Sequence, residues 1–286
     1  MTIAFPLEDL ELRALVRAAL DEDRAFDDAT TSATVGPDVR ASAHMVARVE
    51  GVLAGLPLAM ATFRALDSHI AYTVHASDGA HVAPGTSVLA LEGRAAAMLS
   101  AERVALNFVQ RLSGVATLTS RYVAAVAGTG ATILDTRKTT PGYRALEKYA
   151  VRCGGGTNHR SDLADAVLIK DNHLAAMGGD IAEAVRRARA LARPGIVIQV
   201  ECDDIAQVRA AIDAGADSVL LDNMPPSMLR ECVKHVAGRA ITEASGGITL
   251  DTVRAAAESG VDRISVGALT HSAPALDIAL DFTDLG

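Results

Sequence analysis

The sequence predicts an α/β protein whose second half is a barrel of parallel strands, and three observations support this. Short apolar runs after Gly128 alternate with helix-like segments, as expected of strands buried on both faces of a parallel sheet. Nearly every run ends in polar residues, which is typical of barrels that draw functional groups from successive strand ends. No Gly-x-Gly-x-x-Gly motif follows the first run, which counts against a dinucleotide-binding open sheet. The runs are 131–134, 166–169, 196–200, 218–221, 240–242 and 263–266.

The part before Gly128 has a different pattern. Apolar positions from Leu7 to Leu20 recur at helical spacing and predict a first helix, which the segment 27–31 ends. From there to Glu92 the pattern predicts short strands around turn residues, with one helix near 58–66. Helical spacing returns over residues 95–127. This half is therefore predicted to be a compact β-rich module followed by a long helix.

The turns of the second half repeat as well. Ala214–Asp217 and Ser259–Asp262 each place a glycine where a helix should end in a left-handed cap. Pro225-Pro226 and Thr249 stand at predicted helix starts. These signals support repeated βα units.

Composition excludes several classes of protein. The 286 residues are 50% apolar and carry a formal net charge of −8, so general affinity for nucleic acid or acidic membranes is not expected. Three scattered cysteines predict neither a disulfide framework nor a zinc site. The N-terminus lacks the pattern of a signal peptide, and no apolar run is long enough to span a bilayer. We expect a cytoplasmic protein.

A cluster of positive charge stands out in this acidic chain. Residues 137–160 contain six Lys or Arg against one acid. Arg144, Lys148 and Arg152 lie four apart on a predicted helix, so they form either a solvated face or part of a ligand site. The other cations, together with His159, suit a ligand with more than one carboxylate because arginine pairs with carboxylates in a planar fork.

Two acids and two glycine-bearing loops follow at later strand ends. Glu201 and Asp222 are predicted to hold ribose hydroxyls or Mg²⁺, the alternatives being a helix-terminal acid or an ion pair. The segments 245–248 and 266–268 predict a phosphate site, although ordinary turns use the same residues. Lys170 has an alternative role as a Schiff-base nucleophile.

Taken together, these segments resemble the quinolinate phosphoribosyltransferase family, also named nicotinate-nucleotide pyrophosphorylase. The resemblance is carried by Asp135–Arg144, Gly154–Arg160 and Leu168–His173. It continues through 200–201, 221–224, 243–248 and 270–272 and begins at 22–31, so it covers essentially the whole chain. Arg24–Asp27 stands in place of a glycine-bearing turn and Cys202 follows Glu201, but neither departure changes a charged site residue.

The resemblance implies a fold, a reaction and an assembly. The fold is an open, TIM-like α/β barrel of residues 111–271, with an N-terminal α/β sandwich domain of residues 1–110 that the tail 272–286 joins. The reaction transfers phosphoribosyl from phosphoribosyl pyrophosphate to quinolinate with decarboxylation, a step of NAD biosynthesis, and uses Mg²⁺ but no organic cofactor. The assembly is a homodimer or hexamer in which Arg103 completes the partner's site.

The resemblance also implies roles for individual residues. The quinolinate carboxylates would contact Arg103, Arg137, His159, Arg160 and Lys170. The catalytic residues facing the sugar donor would be Lys138, Glu201 and Asp222, with Mg²⁺ held by the two acids directly or through water. The 5-phosphate would contact Ser245, Gly246, Gly247, Gly267 and Ala268.

Three rival functions stay open at this stage. A relative acting on nicotinate without decarboxylation would not need so many cations. An aldolase or isomerase would use Lys170 as a nucleophile on a phosphosugar. A non-catalytic assembly module is disfavoured because the charged residues gather at the barrel's strand ends.

Overall fold

The computed structural model describes residues 3–285, with side chains through Thr283; residues 1, 2 and 286, which the predicted domain ranges include, lie outside it. The helices are α1 Asp9–Glu22, α2 Ala29–Thr34, α3 Leu56–Leu66, α4 Ala95–Ala125, α5 Arg144–Cys153, α6 Asp171–Ala176, α7 Ile181–Leu191, α8 Ile205–Asp213, α9 Pro226–Val236, α10 Leu250–Ala257 and α11 Ala268–His271. The strands are β1 Arg40–Ala47, β2 Gly51–Val52, β3 Ala71–Val74, β4 His81–Val82, β5 Ser87–Arg94, β6 Thr132–Leu134, β7 Val167–Ile169, β8 Ile198–Cys202, β9 Ser218–Asp222, β10 Ile241–Ser245, β11 Arg263–Ser265 and β12 Ile278–Leu285.

The chain divides into two compact units. The first contains Met1–Ser120, Pro141–Gly155 and Ala273–Gly286, and the second contains Arg121–Thr140 and Gly156–Ser272. The predicted domain boundary at residue 110 falls within α4, and it stays a prediction. No helix among the described residues has the length and apolar character required to cross a bilayer.

The second unit is built around a six-stranded parallel sheet. Its order is β6-β11-β10-β9-β8-β7, so strands consecutive from β7 to β11 lie side by side and the last strand, β11, pairs with the first, β6. In a doubly wound sheet the order would reverse at a switch point, whereas this cyclic order is that of a barrel. The sheet runs from β6 at one edge to β7 at the other, so the barrel is open between them. The predicted open α/β barrel is confirmed, and each of the six apolar runs overlaps one of these strands.

Helix starts in the second unit follow from local sequence. Asp180 and Asp204 accept hydrogen bonds from the backbone of Glu183 and Gln207 and so cap α7 and α8. The helices between strands turn one face to the sheet; α8, for example, buries Val208, Ala211 and Ile212. Short polar turns therefore separate buried strands from half-buried helices, and they expose the carboxyl ends of the strands.

The first unit contains a four-stranded antiparallel sheet of order β12-β1-β5-β3. Alternate residues of β1, among them Ala43 and Met45, are fully buried, and they belong to one core with Phe63 of α3 and Met98 of α4. Burying a side chain as large as those of Met45, Phe63 and Met98 contributes about 1.5–3 kcal/mol. Helices on a sheet make the predicted α/β sandwich, which is confirmed.

The C-terminal segment packs closely on α4 of the same unit. Gly114 is the point of contact, since a Cβ there would lie 2.0 Å from the carbonyl oxygen of Pro274. The Leu276 N–H donates to the Gln110 carbonyl at 2.9 Å, and β12 then pairs with β1. The absence of a side chain at Gly114 therefore allows the C-terminal segment to pack against α4.

Two local predictions were wrong or incomplete. The segment 27–31 was expected only to end the first helix and to be followed by short strands, but residues 29–34 form α2, because the Asp28 carboxylate accepts from the Thr31 N–H at 2.9 Å and caps a helix. The solvated-face alternative for α5 fails at Lys148, which is 4% exposed. Its neighbour Glu147 is also buried and accepts from Arg111 at 2.6 Å. Charge spacing alone did not reveal that this helix is packed inside the first unit.

Candidate active site

A cavity of about 550 Å³ opens at the carboxyl ends of the strands in the second unit. Its wall includes every site residue predicted within that unit: Arg137, Lys138, His159, Arg160, Lys170, Glu201, Asp222, Ser245, Gly246, Gly247, Gly267 and Ala268. It also includes Thr136, Leu168, Leu220, Glu243, Ile248, Thr249, Ser265 and His271. The residues predicted from strand-end chemistry are thus brought to one place.

Parallel register explains this convergence. Glu201 pairs with Leu220 across β8 and β9, and Ser245 pairs with Asp222 across β10 and β9. Because parallel strands end on the same side of a sheet, side chains near their ends face a common space. Segments far apart in the sequence therefore share one wall.

Asp135, at the end of β6, anchors the loop that carries His159. Its carboxylate is fully buried and accepts from Asn158 Nδ2 at 2.6 Å and from the His159 N–H at 2.8 Å. Asp135 was not predicted as a site residue. Its role is to hold the loop beside the Arg137 segment that follows it directly in the chain.

His159 faces a buried carboxylate. The Arg160 N–H donates to His159 Nδ1 at 2.8 Å, which places the ring proton on Nε2. Nε2 lies 3.3 Å from Oε1 of Glu243, and Gln199 Nε2 donates to the other carboxylate oxygen at 2.9 Å. Burial acts to raise the pKa of Glu243, but these contacts outweigh it and leave that pKa below its ordinary value.

Glu243 was missed as a site residue by sequence reasoning. The available signal was its charge within the strand Ile241–Ser245, where the residues on either side of it, Thr242 and Ala244, are buried. A charged residue in a fully buried strand position needs a partner, and in this fold that partner is His159.

Lys170 and Glu201 are paired with each other. Lys170 Nζ is in direct contact with Glu201 Oε2, although the sequence assigned the lysine to the acid substrate and the glutamate to the sugar donor. Lys170 is half-exposed and Glu201 is mostly covered. The two predicted binding regions therefore meet at this ion pair.

Arg137 and Arg160 concentrate positive charge in the wall. Burial and the charge of Arg137 lower the pKa of the Arg160 guanidinium. Arg160 donates to the Ala166 carbonyl at 3.0 Å, whereas Nε of Arg137 is buried without a hydrogen-bond partner among residues 3–285. A buried donor atom without a partner is costly, and an anionic ligand would satisfy it.

The glycine-bearing loops form the opposite part of the wall. Gly246 and Gly247 both have positive φ, 89° and 59°, which favours glycine. Gly267 is tightly enclosed, because a Cβ there would lie 3.0 Å from Lys138 Cδ and 3.2 Å from His271 Nε2. His271 was another residue that the sequence did not assign to the site.

Arg103 belongs to the first unit. It is exposed on α4 and lines a recess with neighbours that include Arg24 and Asp28. Asp28 also accepts from Ser100 at 2.9 Å, one turn before Arg103. Its predicted contribution to a partner's site stays a prediction.

Comparison with known proteins gives the family. The model of the quinolinate phosphoribosyl transferase C-terminal domain matches residues 115–281, and that of the N-terminal domain matches residues 28–113. The chain is 44% identical over 277 residues to a probable nicotinate-nucleotide pyrophosphorylase (carboxylating) of Bacillus subtilis, covering 97% of this chain and 95% of the relative. It is 44% identical over 275 residues to the nicotinate-nucleotide pyrophosphorylase (carboxylating) of Mycobacterium leprae, covering 94% and 96%.

Solved structures agree with the sequence relatives. The nicotinate-nucleotide pyrophosphorylase of Francisella tularensis superposes with a TM-score of 0.91 at 38% identity, covering 99% of this chain and 100% of that one. The match extends over both units of the fold. With both family models and these relatives spanning nearly its full length, the chain belongs to the quinolinate phosphoribosyltransferase family.

Proposed function

We propose that this protein transfers the phosphoribosyl group of phosphoribosyl pyrophosphate to quinolinate, with decarboxylation, to give nicotinate mononucleotide, pyrophosphate and CO₂. The observation that carries the proposal is the buried Nε of Arg137, without a partner among the described residues, in a wall shared with Arg160, His159 and Lys170. A small dianion fits such a wall because each carboxylate can take a bidentate or charge-assisted hydrogen bond.

The acid acceptor is held by the cations. Burial and then repulsion by Arg137 lower the pKa of Arg160, and carboxylates placed between the two guanidinium groups offset both effects. Lys170 reaches the acceptor by leaving Glu201, since both line the same cavity. Clamping a planar ring through its substituents fixes the direction of the ring nitrogen lone pair. This reduces the entropic part of the activation barrier.

The sugar donor occupies the other side. Backbone at Gly246 and Gly247 can approach a phosphate closely, and Lys138 beside Gly267 places positive charge near phosphate oxygens. Glu201 and Asp222 suit ribose hydroxyls and oppose the positive charge that develops at C1 of the sugar.

Mg²⁺ fits the donor side as a substrate-borne ion. The described residues contain no cluster of three or more His, Cys, Asp or Glu able to hold a metal alone, but Glu201 and Asp222 lie at neighbouring strand ends. Mg²⁺ commonly binds one or two carboxylates together with substrate phosphates and water. Bound with the donor, it would neutralise charge on the leaving pyrophosphate.

The chemistry balances without an organic cofactor. The bond from C1 of the ribose to pyrophosphate breaks, its electron pair leaves with pyrophosphate, and the ring nitrogen lone pair forms the new bond to C1. The nitrogen is then cationic. The bond from the neighbouring ring carbon to its carboxylate breaks, CO₂ leaves, and the remaining electron pair, stabilised by the adjacent cation, takes a proton. The protein positions the reactants and stabilises charge.

We propose in addition that the protein is a cytoplasmic homodimer or hexamer and that Arg103 acts in a partner's site. A reducing compartment is supported by the three cysteines, all of which are buried free thiols. The exposed position of Arg103 on α4 leaves it available to another copy. Sedimentation of the pure protein, with and without Arg103→Ala, tests the assembly, and mixing that variant with an Arg137→Ala variant tests shared sites by recovery of activity.

The decisive experiment uses the pure chain with quinolinate, phosphoribosyl pyrophosphate and Mg²⁺. Nicotinate mononucleotide and CO₂ are expected in equal amounts. Turnover of nicotinate in place of quinolinate, without CO₂, would instead identify the non-decarboxylating relative. A borohydride-trapped adduct on Lys170 would favour the Schiff-base alternative, but the contact of Lys170 with Glu201 suits an ammonium group that binds carboxylates.

A further inference from the structure

Asn223 follows β9 directly and has an unusual backbone conformation. Its φ is 53°, in the left-handed region. Among residues 3–285, the other non-glycine residues with positive φ are Arg24 and Ala237. Ala237 ends α9, whereas Asn223 stands next to Asp222 at the cavity. Asparagine is one of the few residues with a side chain that adopts this conformation at low cost.

Asn223 makes hydrogen bonds in two directions. Its Nδ2 donates to Asp222 Oδ2 at 2.6 Å, and its N–H donates to the Ser245 carbonyl at 2.9 Å. Asp222 and Ser245 are register partners at the ends of β9 and β10. One residue therefore joins a carboxylate on one strand to the backbone that begins the glycine-bearing loop on the next.

The contact with that loop is close. A Cβ added to Gly246 would lie 2.2 Å from Asn223 Oδ1 and 2.7 Å from its backbone nitrogen. The Asn223 amide therefore fills the space beside Gly246. Its nitrogen restrains Asp222 while its oxygen lies against the loop that is proposed to bind phosphate.

We propose that Asn223 is a positioning residue for the sugar donor, which holds the Asp222 carboxylate and the Gly246 backbone in one fixed arrangement. This rests on the proposed function, in which Asp222 faces the ribose and Gly246 the 5-phosphate. A carboxylate at a strand end would otherwise rotate among several rotamers. Fixing it before the donor binds reduces the entropy lost on binding.

A positioning role and a purely structural role predict different effects when the Asn223 side chain is removed. Asn223 is exposed, so its side chain contributes little to the core. Its removal should therefore change donor affinity more than the free energy of unfolding. Among the described side chains, no hydrogen bond joins Asn223 to Arg137 or Arg160, so acceptor affinity should be unchanged.

Three variants separate these readings. Asn223→Gly keeps the left-handed backbone accessible and removes the amide. Asn223→Asp keeps the size of the side chain but replaces the donor Nδ2 with a second carboxylate beside Asp222. Ala237→Gly is the matched control, because it places glycine at the same kind of backbone position at the far end of α9.

The measurement is calorimetric binding of phosphoribosyl pyrophosphate with Mg²⁺ in the absence of acceptor, so that no turnover occurs, and of quinolinate separately. We expect Asn223→Gly to weaken donor binding about tenfold, equivalent to about 1.4 kcal/mol. Asn223→Asp should weaken it at least as much, because like charges repel. Quinolinate affinity should stay within about twofold in both variants, and Ala237→Gly should match the wild type in both titrations. Steady-state assays should show the same division, with a raised KM for the donor.

Two results in the variants would overturn the proposal while leaving the proposed function standing. Donor affinity in Asn223→Gly equal to that of the wild type would show that the amide positions nothing. Equal losses for donor and acceptor would show a general structural role. A wild-type chain that bound neither ligand would overturn the proposed function first, and the role of Asn223 with it.

Discussion

Each unit of the molecule covers a carboxyl group, part-buried Asp78 in the first and fully buried Glu243 in the second, and the two have opposite surroundings. In the first unit, Asp78 accepts from Tyr149 Oη and the Gly55 N–H, both at 2.7 Å, and burial raises its pKa above the ordinary value. In the second unit, burial acts on Glu243 in the same direction, but His159 and Gln199 leave its pKa below the ordinary value. One carboxylate is surrounded by neutral donors, and the other faces an imidazole.

The difference separates scaffold from site. Neutral donors around Asp78 close the turn before α3 and require no ionisation. The imidazole opposite Glu243 turns Nε2 toward the carboxylate and so favours its anionic form. The first unit thus satisfies the Asp78 carboxyl group with its own donors, whereas in the second unit Nε of Arg137 is buried without a hydrogen-bond partner among residues 3–285.

The largest expected effect is that of Arg137→Ala. Loss of the guanidinium should raise the KM for quinolinate about 100-fold, since a hydrogen bond to a charged group is worth about 1.5–3 kcal/mol. The KM for the sugar donor should change far less, and the free energy of unfolding should not fall, because the variant removes an unsatisfied buried donor. Arg186→Ala, which breaks an exposed contact with Glu183, is the control. Equal effects on both substrates would contradict the assigned role.

Glu243→Gln should have the next largest effect. Removing the charge opposite His159 should raise the KM for quinolinate about tenfold and cost about 2 kcal/mol of stability at neutral pH, as expected for the loss of a hydrogen bond to a charged group. The folded pKa lies below the ordinary 4.5, so the stabilisation is present above about pH 4.5 and is lost as the pH falls through the folded pKa. Denaturant titrations from pH 3 to 8 should therefore show that the free energy of unfolding falls less steeply below about pH 4.5 in the variant than in the wild type. Glu258→Gln, at an exposed ion pair with Arg254, is the control and should leave the pH dependence of the free energy of unfolding unchanged.

Asp78→Asn tests the other half of the comparison. The amide cannot accept all the hydrogen bonds of the carboxyl group, so we expect a loss of about 1–3 kcal/mol with both KM values unchanged. The folded pKa lies above the ordinary 3.8, so the contribution of Asp78 is full below about pH 3.8 and declines as the pH rises through the raised pKa. The gap between wild type and variant should therefore narrow as the pH rises. Asp38→Asn, at an exposed position, is the control, and a KM change in Asp78→Asn would contradict a purely structural role.

The smallest expected effect comes from a helix cap in the second unit. Asp180→Ala removes the acceptor for the Glu183 N–H, a bond of 3.0 Å, and should lower stability by about 1 kcal/mol. Both KM values should match the wild type. Thermal unfolding measured together with the kinetics checks this. A change in either KM would show that the α7 cap affects substrate binding as well as stability.

Sequence reasoning was strongest where chemistry follows strand ends. Glu201 and Asp222 were identified from their places after apolar runs, and parallel register then brought them to one cavity. It failed at α2, because a single Asp28 cap outweighed the strand expectation. It also missed Glu243 and His271, whose relevance depends on neighbours that come from other segments of the chain.

The sequence by itself determined the repeated βα pattern, the location of the cations and glycine-bearing loops, and membership of the family. Those properties are local, since periodicity, turn chemistry and motifs are written in consecutive residues. Only the tertiary structure decided which groups are in contact: Lys170 with Glu201, His159 with Glu243, and the Asn223 amide with both Asp222 and Gly246. Such pairings depend on strand register and on burial, which act between segments distant in the chain.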